Sequence, residues 1–83
     1  MKLPSPMPLS LDKAHNNSIY MFHKIDDAML RLQLVSRGFV PGAIIKVVRA
    51  HGRGSVLIEI KHARMAVGRL EAVNIFVLPL TEE

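Results

Sequence analysis

The chain has 83 residues, 49% hydrophobic and 22% charged, which is one domain's worth of sequence with little room for a deep enzyme cleft. It contains no Cys, so disulfides, thiolate metal sites and thiol catalysis are excluded. The net charge is +4, and Arg37, Lys46, Arg49, Arg53, Lys61, Arg64 and Arg69 face only Glu59 between positions 37 and 69. That stretch carries a positive field suited to nucleic acid, an anionic membrane surface or an acidic protein.

Met1 to Leu11 carries one Lys and is interrupted by Pro4, Pro6 and Pro8. An unbroken apolar stretch, which a secretory signal needs, is absent, and no run approaches the ~20 apolar residues of a membrane span. The expectation is a soluble cytoplasmic protein without membrane insertion. Residues 1–17 read as a Pro/Asn-rich tail, because the prolines favour extended backbone and Asn16-Asn17 favours a turn.

Ser18 to Lys24 is a predicted strand, with β-prone Ile19, Tyr20, Met21 and Phe22. Asp26 is the expected helix N-cap, with Asp27 favouring the positive helix end. In the helix, Ala28/Leu32/Val35 and Leu30/Leu34 fall at spacings of three and four, which predicts one broad apolar face. Gly38 ends the helix in a left-handed residue, and Pro41-Gly42 reads as the middle of a tight turn.

From Ile44 the pattern becomes β-branched, and Ile44 to Arg49 is the next predicted strand. His51-Gly52-Arg53-Gly54 reads as a hairpin loop rich in positive-φ positions. Along Ser55 to Lys61, Val56, Ile58 and Ile60 face one way and Leu57, Glu59 and Lys61 the other. After a tight connection at Lys61-His62, Ala63, Met65 and Val67 share a face, and residues 68–72 form a short turn or a single helical turn. Val73, Ile75 and Val77 alternate with Asn74 and Phe76 in a last strand that stops before Pro79. The expected fold is mainly β: a five-stranded antiparallel barrel over residues 18–78, closed on itself to remove its edges, with one capping helix after the first strand and a C-terminal tail at 79–83.

The order helix, Gly38-Phe39-Val40-Pro41-Gly42, Ile44 to Arg49, Val56 to Lys61, Met65-Ala66-Val67, Ala72, then Ile75-Phe76-Val77 resembles the FeoA family. Arg37 stands where that family has Leu before the glycine. The resemblance implies an SH3-like barrel and a non-catalytic role beside the FeoB-type ferrous-iron transporter, whose cytosolic GTPase region would be the partner. It brings iron and transition-metal chemistry into view but no ligand motif, and it implies no cofactor. Weak self-association is compatible with it.

The residues themselves offer few sites. His23 with Asp26 and Asp27 is a local imidazole–carboxylate cluster suited to ferrous iron, but acids at a helix start more often serve as caps, and no metal site is assigned. His51 and His62 read as solvated surface residues. The glycines of 52–54 lead into a strand rather than a helix, unlike a P-loop. No serine has an oriented base beside it, so nothing points to an enzyme.

Two binding readings remain. A small basic nucleic-acid-binding barrel is the alternative, although Tyr20, Phe22, Phe39 and Phe76 fall mostly in core-like patterns and DNA is not expected. For a protein partner, Leu57 and Phe76 lie opposite the core faces and Phe39-Val40 sits at the helix exit. Rimmed by Arg49, Arg53 and Arg64, these are the expected contact residues.

Overall fold

The structure, a computed structural model, describes residues 2–82. Met1 and Glu83, both in the expected tails, lie outside the described residues. In chain order come β1 (Lys2–Pro4), β2 (Leu9–Ser10), a 3-10 turn (Leu11–Lys13), β3 (Ser18–Ile25), α1 (Ala28–Val35), β4 (Ile44–Arg49), β5 (Val56–Ile60), β6 (Ala63–Val67), α2 (Arg69–Ala72) and β7 (Ile75–Glu82). All strand pairings are antiparallel, in the order β1-β7-β3-β4-β5-β6, with β2 also on β7.

The sheet does not close into the expected barrel. β7 carries β3 on one side and both N-terminal strands on the other, so it has no edge left for β6. Among the described residues the strands number seven rather than five, because residues expected as a tail are incorporated. Leu9 pairs with Val77, Pro4 with Leu80, and Leu11 and Ala14 are fully buried. Their apolar side chains gain more from the core than the prolines cost, since Pro4 sits at the sheet edge, where a missing N–H is harmless.

Pro79 does not end the last strand, as the sequence suggested. Its C=O accepts from the Ser5 N–H at 2.7 Å, so its ring nitrogen also faces the β1–β2 bend rather than β3. N–H and C=O of one strand residue point to the same side, and here no ladder bond to β3 is lost.

The core follows the alternation. Ile45 and Val47 of β4, Val56, Ile58 and Ile60 of β5, and Ile75 and Val77 of β7 are buried together with Tyr20, Phe22 and Ile25 of β3. Register shifts at Phe22/Lys24 and Val47/Arg49 insert His23 and Val48 as extra residues. Such bulges bend their strands and increase the local twist.

The helix cap is Asp27 rather than Asp26: its side chain accepts from the Leu30 N–H at 3.0 Å. Asp26 instead pairs with Lys24 at 3.2 Å. At the other end the Phe39 N–H donates to Leu34 and the Gly38 N–H to Val35, a Schellman closure with Gly38 at φ +104. Gly42, at φ +89, follows Pro41 in a turn closed by the Ala43 N–H on the Val40 C=O, the type II arrangement. In the 51–54 loop Gly52 alone takes a positive φ. Val73 is the C-terminal cap of α2 and not part of the last strand.

Candidate docking surface

The expected contact residues do not assemble. Phe39 is 1% exposed and meets Phe22 edge-to-face at 5.7 Å between ring centroids. The Schellman closure turns it inward, so it is core and not a surface anchor. Val40 is half-buried in the following turn. Arg49 and Leu57 lie opposite each other across β4–β5, and Arg53 is exposed in the loop between those strands. Arg64 stands opposite Glu59 and holds it at 2.8 Å. Phe76, on β7, is separated from β5 by the two strands β3 and β4 and is half-buried, with the Lys24 Nζ 5.5 Å from its ring centre.

Charge organisation on the outer sheet face follows the register. Lys46, Glu59 and Arg64 form one cross-strand row. The Arg64 guanidinium bonded to Glu59 holds its carboxyl below the ordinary carboxylate value, and Lys46 adds to the effect.

The two helices present what the strands do not. α1 has two turns, so one stripe, Leu30 and Leu34, reaches the core. Leu32 and Val35, expected on that buried face, are exposed, as is Met29 at 69%. α2 buries Ala72 and leaves Leu70 83% exposed. Met29 and Leu70 line one open cleft of about 200 Å³ between the helices, with Asp27, Gln33, Glu71 and Asn74 at its polar margin. The sequence signal for this surface was a helix apolar on more sides than an eight-residue element can bury.

α2 is held in place by Arg69, whose guanidinium donates to the carbonyls of Asp12 and Ala50. The same residue thereby ties α2 to the N-terminal segment. Among the described residues no three His, Asp or Glu side chains gather as a metal cluster, and none of the helices is long and apolar enough to cross a membrane. His23 is exposed while Asp27 caps α1 and Asp26 pairs with Lys24, so the local cluster does not converge.

A small antiparallel β domain with two short helices and an open cleft between them has the build described as SH3-like. The FeoA domain model matches residues 9–79, and the chain belongs to the FeoA family, which is associated with ferrous iron transport. Among solved structures, an iron uptake regulatory protein (FeoA) is 28% identical, with 90% of this chain and 99% of that one covered and a TM-score of 0.77. A zinc-complexed FeoA from Stenotrophomonas maltophilia, described as a prokaryotic SH3 domain protein, is 22% identical over 83% of this chain and 88% of that one, with a TM-score of 0.72. A manganese-dependent transcriptional repressor shares the fold at 18% identity and a TM-score of 0.79, with 92% of this chain covering 38% of the repressor. Comparison with curated proteins returned no match.

Proposed function

We propose that the protein is a non-catalytic cytoplasmic adaptor that binds the cytosolic GTPase region of a FeoB-type ferrous-iron transporter and regulates iron uptake through that contact. The observation that carries this reading is the α1–α2 cleft, where Leu70 and Met29 are 83% and 69% exposed on a protein whose family belongs to ferrous iron transport. Large apolar side chains grouped with a polar margin are the anatomy of a protein contact.

The nucleic-acid alternative loses its stacking platform. Tyr20, Phe22 and Phe39 are buried and Phe76 lies half-buried beneath Lys24.

Calorimetric titration of the protein into the purified GTPase domain, with and without nucleotide, tests the reading. Leu70→Ser and Met29→Ser remove exposed side chains, so stability stays within about 0.5 kcal/mol while affinity falls by about tenfold. Unchanged affinity in both variants would place the contact elsewhere.

A further inference from the structure

The fold brings together two imidazoles that lie far apart in sequence. The rings of His15 and His51 are 6.3 Å apart between centroids, with their planes inclined at 58°. Both residues are exposed, and among the described residues no hydrogen bond or ion pair occupies either ring. Their backbones, by contrast, are fixed. The His15 N–H donates to the Tyr20 hydroxyl at 2.8 Å, and Tyr20 is itself 2% exposed. The Asn16 side-chain oxygen accepts from the Ala50 N–H at 2.7 Å and the His51 N–H at 3.2 Å. The Arg69 guanidinium donates to the Ala50 and Asp12 carbonyls. Five hydrogen bonds from three side chains thus hold the two histidine backbones side by side while leaving both rings unengaged.

We propose that His15 and His51 form a two-imidazole site for a borderline divalent transition metal such as zinc, with water completing the coordination. Imidazole is a preferred ligand for these ions. With metal–nitrogen bonds of ~2.1 Å, each ring centroid lies ~3.2 Å from the metal, so a bridged pair spans at most ~6.4 Å and ~5.2 Å at a tetrahedral angle. The observed separation falls within that range, about 1 Å longer than the tetrahedral value. Because the backbones are already fixed, the ordering cost of assembling the pair is small. The site is open to solvent and has two protein ligands, so its metal exchanges readily. Occupancy cross-links the N-terminal segment to the β4–β5 loop. This site is separate from the α1–α2 cleft and does not depend on the transporter reading.

The test is a calorimetric titration of zinc chloride into the full chain at about pH 7.5, with NMR of the histidine rings in parallel. The expected result is one zinc per chain, with the His15 and His51 ring signals moving together and those of His23 and His62 unmoved. His15→Gln and His51→Gln each weaken binding by about tenfold or more, and the double variant falls little further, because one imidazole alone is not a site. Both side chains are exposed, so the variants keep the fold, which their backbone spectra verify. Wild-type affinity in either single variant, a response at His23 or His62 in place of the pair, or no binding up to about 1 mM zinc would each overturn the proposal.

Discussion

The side-chain oxygen of Asn16 and the backbone N–H of Ala50 are joined at 2.7 Å, across 34 positions of sequence, and Ala50 is 1% exposed. A side chain from the N-terminal segment therefore satisfies a buried donor just beyond β4. Asn16→Ala leaves that donor without a partner, and a loss of about 1–3 kcal/mol follows in denaturant unfolding. Asn16→Asp keeps an acceptor in place and retains most of the stability. Equal losses in both variants would mean that the oxygen is not what matters.

Gly38 meets two demands at once. Its φ of +104 disfavours any side chain, and a Cβ there would sit 3.0 Å from Cδ of Lys61, whose stem lies across it. Gly38→Ala is expected to cost about 1–2 kcal/mol through backbone strain, with a further shift of the Lys61 side chain. Thermal unfolding gives the first effect and the Lys61 amide and side-chain NMR signals report the second.

Lys61 and His62 join β5 to β6 with φ values of +52 and +65, so both central residues of this two-residue turn are left-handed without being Gly. Asn-Gly is the pair such a turn favours. The double substitution Lys61→Asn/His62→Gly should stabilise the protein by about 1 kcal/mol, or about 4–8 °C in Tm. A fall in Tm would show that the Lys61 stem across Gly38 outweighs the turn strain.

The Glu59–Arg64 pair sets a pH dependence with a definite sign. The folded carboxyl is depressed by its bond to Arg64 and then by Lys46, so the pair contributes at pH above the ordinary glutamate range. Its contribution is lost as pH falls through the depressed value. Arg64→Gln should move the Glu59 midpoint upward in a carboxyl NMR titration and leave stability near neutral pH almost unchanged, as expected for a solvated pair. An unmoved midpoint would assign the depression to Lys46.

Local signals in the chain were readable where the chemistry is local. Gly38 and Pro41-Gly42 encode their positive-φ closures directly, and the strict alternation of Val56, Ile58 and Ile60 identified an inward face. Non-local consequences were not. Pro4, Pro6 and Pro8 look like a tail until β7 provides an edge, and that pairing also removes the edge on which barrel closure depended. Phe39 reads as exposed beside a turn, although the Schellman geometry points it at Phe22. Lys61 carries no residue-type sign of left-handed backbone. The adjacency of His15 and His51 depends on Asn16, whose partners are 34 and 35 positions away.

The pairing of Lys2 with Glu82 has a kinetic meaning. Formed alone it would close a loop of nearly the whole chain, so it waits until β2 is on β7, and β1 is exposed along its length, so little apolar burial rewards its docking. The hairpins β4–β5 and β5–β6 close over a few residues and can form early. β1 then adds last to a sheet that already exists, and it is the first strand to leave when the protein opens. The N-terminal segment that carries His15 and Asn16 is therefore governed by a lower opening free energy at its outer end than the β3–β5 core beneath it.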